Sequence, residues 1–180
     1  MSDVIALVRS MLETSVGRWE AIARVHPSLL ARPPADGEWS AIQALQHVVD
    51  TEHGVFRARM LAILDGRPFE AFDPDAQGGV DHVAGSAPEL VRALAPLRAV
   101  SLETLAGLRE ADLSRTAIHQ ELGEVTMAEL LNEWAAHDTM HIVQAERALI
   151  QPFIPASGPW RSYFRDHDVE AGEAHRPPDG

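Results

Sequence analysis

The chain has 180 residues, a hydrophobic fraction of 46% and a formal charge of −12, with 15 basic residues against 27 acidic ones. That length suits one domain with one well-buried core, and the acidic balance argues against a nucleic-acid surface, which needs a basic footprint. Every basic residue is arginine and there is no cysteine, which excludes a Schiff-base lysine, a disulfide framework, a cysteine nucleophile and a thiolate metal ligand.

The start, "MSDVIALVRSMLETSVGRWE", has no basic region followed by an apolar block, and no run of 18 apolar residues occurs anywhere. A cytoplasmic protein that engages no membrane is therefore expected. Helical periodicity begins near Ser2 and Asp3 and runs to about His26. The loop "HPSLLARPPADGEW" follows, punctuated by Pro33, Pro34 and Gly37. A second helix is predicted from Ala41 to Leu64, with Ser40 and Gln43 forming a capping box and Gly66 suited to a left-handed cap.

The third helix is predicted over Ala87–Leu108, capped by Ser86 and Glu89 with Pro88 in its first turn. "AIHQELGEV" reads as locally extended, and the fourth helix covers Met127–Ile150, capped by Thr126 and Glu129. "GPWRSYF" adds a final turn. Residues 1–164 are thus expected to form one domain and the polar residues 165–180 a frayed tail.

The architecture predicted is an all-α four-helix bundle. The 21 residues "DGRPFEAFDPDAQGGVDHVAG" between the second and third helices are too long for a tight hairpin. They can span about 70 Å, against about 37 Å for a 25-residue helix. A long crossover is therefore expected, with the second and third helices parallel and the second and fourth antiparallel.

Chemistry concentrates in "AAHDTMHIVQAER", where His137 and His141 stand four apart on one face of the fourth helix. Two imidazoles about 5–6 Å apart at Cβ can reach one ion. Among the other histidines, His26, His82, His119, His167 and His175 fall in connections or the tail and read as solvated. His47 and His53, on the second helix, are six residues and so about 240° apart. His47 lies among Ile42, Ala44, Leu45, Val48 and Val49 and faces inward, whereas His53 reads as a surface residue. Axial heights of the candidates weakly favour an antiparallel pairing of the two helices and leave the third ligand open.

"GEWSAIQALQHVVDTEHGVFRARMLAILDG" and "ELGEVTMAELLNEWAAHDTMHIVQAERAL" resemble the two signature segments of the DinB-like family, in which a tryptophan–serine start precedes a histidine helix and an "HDxxHxxQ" element closes the bundle. "LRAVSLETLAGLREADL" is similar to that family's third helix, with Arg98 at its recurrent arginine, and the resemblance spans roughly residues 5–150. It implies a divalent metal held by His47, His137 and His141. Zinc suits three imidazoles first; nickel, iron and manganese are the other candidates.

Asp138 reads first as a polar partner for a neighbouring helix, and the family motif it matches adds a role behind the ligands. Glu133, Thr51, Asp50 and Gln144 are further candidates for supporting or proton-transfer roles, each weighed against a plain solvated one. A helix-surface salt bridge is the simplest account of Arg147, and Trp39 and Trp134 read as core anchors.

Relatives with assigned functions imply a metal-dependent enzyme that takes a small-molecule substrate and a low-molecular-weight thiol cosubstrate, as a thiol S-transferase or isomerase. The other expectations are a metal-dependent hydrolase and a non-catalytic metal-stabilised stress-response or dimerisation module. The resemblance also implies a homodimer. Because imidazole must be neutral to ligate, metal binding is expected to weaken as pH falls toward about 6.5.

Overall fold

In the computed structural model, which describes residues 3–71 and 83–169, the helices lie where capping chemistry places them. Helix α1 spans Val4–Ile22 and starts at Asp3, whose carboxylate accepts from the Ala6 N–H at 3.2 Å. A short α2, Pro27–Leu30, follows. Helix α3, Ala41–Gly54, opens on the Ser40/Gln43 capping box; α5, Ala87–Ala106, on Ser86/Glu89; and α6, Met127–Ile150, on Thr126/Glu129. All three boxes satisfy backbone N–H groups that a helix start leaves orphaned.

The second predicted helix is not continuous. It breaks at Val55 (φ −115°, ψ −73°), and α4 resumes over Phe56–Asp65 before Gly66 caps it at φ 65°. Gly54 and β-branched Val55 together weaken the helix there. The break turns Phe56 inward, where its ring stacks on Trp134 at 5.1 Å and meets the His137 imidazole edge-on. The first helix also ends four residues earlier than its periodicity suggests, and α5 two residues earlier.

The stretch expected to be extended is a two-stranded hairpin, β1 (Thr116–His119) paired antiparallel with β2 (Gly123–Thr126). Gly123, at φ 82°, makes the turn possible. Contrary to expectation, His119 is buried, packing edge-on against Phe69, while its Nδ1 accepts from the Glu121 and Leu122 N–H groups. It is a structural residue and not part of the histidine group described below.

Two apolar clusters fix the directions of the helices. One joins Trp19 and Ile22 of late α1, Leu45 and Val48 of early α3, Leu90 and Leu94 of early α5, and Ile142 and Ala145 of late α6. The other joins Val8 and Leu12, Phe56 and Met60, Leu105, and Leu131 and Trp134. Hence α3/α4 and α5 run parallel, and both run antiparallel to α1 and α6. The connection between α4 and α5 must therefore travel the length of the bundle, as the crossover topology requires. Its ends are tied at opposite poles: Phe69 exchanges backbone hydrogen bonds with Ile118 and Gln120, and the Ala84 N–H donates to Gln46 Oε1 at 2.9 Å. The intervening residues 72–82, including His82, lie outside those described.

After α6 the chain continues in 3-10 turns over Gln151–Phe153 and Pro155–Phe164, the second containing the "GPWRSYF" segment. Contacts with the bundle continue past residue 164. Gln151 donates to the His167 carbonyl and accepts from the Val169 N–H, and Asp168 is buried with Arg161 at 2.8 Å. These contacts hold residues 165–169 on the bundle; residues 170–180 lie outside those described.

Candidate metal centre

Helices α3 and α6 pack against each other, and the capping that sets each helix start also sets the height of its histidines. His47 from α3 and His137 and His141 from α6 converge. Their Nε2 atoms stand 3.1 Å apart for His47–His137 and 3.2 Å apart for His141–His137, and the three donor atoms all lie within 4.8 Å of one another. Among the described residues this is the one group of three or more histidines and carboxylates able to share an ion. His53 is exposed and takes no part.

The protonation chemistry fits a cation. Burial, followed by the repulsive His141, lowers the His47 pKa to about 4. Burial, then His141, His47 and Arg59, lowers that of His137 to about 3. His141 is also lowered by burial, against the opposing influence of Gln144 and Asp138. All three rings are thus held neutral. Gln144 Oε1 lies 2.8 Å from His141 Nδ1, so Nδ1–H donates and Nε2 keeps its lone pair. His137 Nε2 faces two neighbours, and one proton cannot serve both contacts. A cation at this point removes the lone-pair repulsion that would remain, and separations near 3.1 Å are those of imidazoles ligating one ion at about 2.0–2.1 Å.

The proposed supporting residues separate into those that touch the centre and those that do not. Gln144 does, through His141. Asp138 points away from the rings, to Arg98 Nη2 at 2.7 Å, while its charge favours the protonated form of His141. Thr51 does not reach an imidazole; its hydroxyl donates to the carbonyls of His47 and Val48 within its own helix. Asp50 accepts from Gln46 at 2.9 Å. Glu133, one turn before His137, remains exposed, but crowding of its carboxyl raises its pKa, with Arg59 opposing.

Sequence reasoning misplaced Trp39 and missed Glu52. Trp134 is a fully buried anchor as expected, but Trp39 is only partly buried and lies against the centre. Its indole stacks on His141 at 5.7 Å and 18°, and tilts against His47 at 4.8 Å. Its place immediately before the Ser40 cap was the available signal. Glu52 is buried beside Arg98 at 3.0 Å, so that Arg98 holds carboxylates from both ligand-bearing helices. Arg98 also donates to the Leu12 carbonyl and to Ser15 Oγ, tying all four long helices behind the histidines. Arg147 forms no ion pair among the described residues.

A profile of the DinB superfamily matches residues 11–145, three quarters of the chain, and includes all three histidines. The chain belongs to the DinB superfamily. Its fold is shared with YfiT from Bacillus subtilis, a protein described as a probable metal-dependent hydrolase with an unusual four-helix bundle topology. That alignment has a TM-score of 0.72 and 19% identity, and covers 83% of this chain and 87% of YfiT. No curated protein sequence matches the chain. Among the described residues no helix is long and apolar enough to cross a membrane.

Proposed function

We propose that this DinB-superfamily chain is a divalent-metal-dependent enzyme, with His47, His137 and His141 as the metal ligands and a small nucleophile as the species activated. The observation that carries the reading is the convergence of three neutral imidazoles, two of their Nε2–Nε2 contacts at 3.1 and 3.2 Å, with no carboxylate or thiolate closing the set. Three protein ligands are the pattern of catalytic rather than structural sites. Bound there, a divalent ion supplies a Lewis acid that lowers the pKa of a coordinated thiol or water.

The nucleophile placed first is a low-molecular-weight thiol, and the reaction its conjugation to an electrophilic small molecule. The chain has no cysteine of its own, so a thiol must come from a cosubstrate. The protein's part is to keep the three rings neutral by burial, to fix His141 as the Nδ1–H tautomer through Gln144, and to wall the centre with Trp39 and Phe56. Arg59 acts electrostatically on both His137 and Glu133, the latter a carboxyl whose pKa burial raises. Water as the nucleophile is the second reading, favoured by the description of YfiT as a probable metal-dependent hydrolase.

Cobalt substitution distinguishes them. The thiol reading predicts that glutathione or a related thiol changes the visible spectrum of the cobalt protein and is consumed with an added electrophile such as monobromobimane. Hydrolysis of activated esters without thiol, with no spectral response to thiol, would replace that reading with the hydrolytic one. A purified chain that takes up no divalent metal would end both.

A further inference from the structure

Beside the histidine centre lies a surface groove of about 520 Å³, between the loop that precedes α3 and the outer side of α6. His141 and Gln144 form its inner edge, so it adjoins the proposed metal centre directly. Trp39 supplies one wall. Along α6 the groove is lined by Met140, Val143 and Arg147, which recur at i, i+3 and i+7 and share a helix face next to the face of His137, His141 and Gln144. Met140 and Val143 are each 54% exposed and give the groove an apolar lining beside Trp39.

The groove's charges are unequal in position. Arg147 is its one cation, and its guanidinium makes no hydrogen bond or ion pair among the described residues. Glu38 is its acid, on the opposite loop wall, and forms no ion pair with Arg147. A small molecule in the groove therefore meets the edge of the metal centre, apolar surface and a guanidinium.

We propose that the substrate of this site carries a carboxylate seated on Arg147, with an apolar body packed on Trp39, Met140 and Val143. The inference rests on the reading of the histidine centre as an active site and adds the class of molecule it takes: an amphipathic monocarboxylate. Arginine suits the role because its planar fork binds a carboxylate through two parallel hydrogen bonds. A volume of this order is typical of small-molecule sites.

The test uses metal-free protein, so that a carboxylate cannot bind by ligating an ion. 4-Phenylbutyrate and its neutral amide are titrated into the full chain while the Trp39 indole resonance, assigned through Trp39→Phe, is followed by NMR. The acid should bind about tenfold more tightly than the amide. Arg147→Gln should abolish that preference while leaving amide binding and the melting temperature unchanged. Glu38→Gln should strengthen acid binding.

Equal affinities for acid and amide would overturn the proposal, as would retention of the preference by Arg147→Gln or no saturable acid binding up to about 10 mM. The two readings fail separately. Acid preference in a chain that takes up no metal leaves the groove standing without the metal centre, and metal uptake without acid preference does the reverse.

Discussion

Replacing Arg98 by methionine tests what holds the ligand-bearing helices in register. The substitution roughly preserves volume but removes a cation that lies 2.7 Å from Asp138 and 3.0 Å from Glu52, all three side chains being almost fully buried. The two carboxyls do not suffer equally. Burial raises the Glu52 pKa against the pull of Arg98, so without that cation Glu52 takes up a proton and limits the damage on that side. On the α1 side, Ser15 Oγ already donates to the Leu12 carbonyl at 3.0 Å and continues to do so. The main cost is thus one buried Asp138 carboxylate without its partner, about 3–5 kcal/mol. For a domain of this size that corresponds to a fall in melting temperature of roughly 6–20 °C. Urea unfolding followed by circular dichroism measures it, and Arg98→Met combined with Asp138→Asn should recover most of the loss. A single-variant cost below about 1 kcal/mol would refute the reasoning, as would a double variant no more stable than the single.

Other outcomes follow from the same geometry. Gln144→Leu should lower metal affinity about 10–100-fold, measured by competition with a chromophoric chelator, because it frees the His141 tautomer. The metal-free protein should lose stability as pH falls below about 6.5, since unfolding releases imidazoles that protonate while folded His47 and His137 resist down to about 4 and about 3. Urea melts should show that slope flattened in His47→Ala. The same lowered values correct the expectation that metal binding fades near the free-histidine pKa: a chelator should still depress the melting temperature at pH 5.5, although less than at pH 7.5. We also propose a homodimer, formed through apolar surface of the kind that Leu7 and Met11 expose on α1; sedimentation of a monomer at micromolar concentration would refute it.

Much of the site was legible because its parts are local. Capping boxes fix helix starts within a few residues, so the faces of His137, His141 and inward-facing His47 could be read from spacing. The loop length permitted the parallel course of the second and third helices, which the packing of the two apolar clusters then establishes. The relations that escaped are those between distant residues. Nothing near Glu52 signals that its carboxyl meets Arg98, 46 positions away, and Trp39 looks like a core tryptophan until α6 is placed beside it. Val55 reads as a helix interior, and the break there became visible only once Phe56 was seen packed on Trp134. His119 was misjudged because a connection was equated with solvent, whereas Phe69 covers it.

The central claim is that three histidines from two helices hold one ion, and metal analysis by mass spectrometry after equilibration with zinc and gel filtration tests it most directly. The account predicts about one ion per chain in the wild type and in His53→Ala, and essentially none in His47→Ala, His137→Ala or His141→Ala, each still folded by circular dichroism. Wild-type protein that retains no metal, or a His47→Ala variant that retains its full complement, would contradict it.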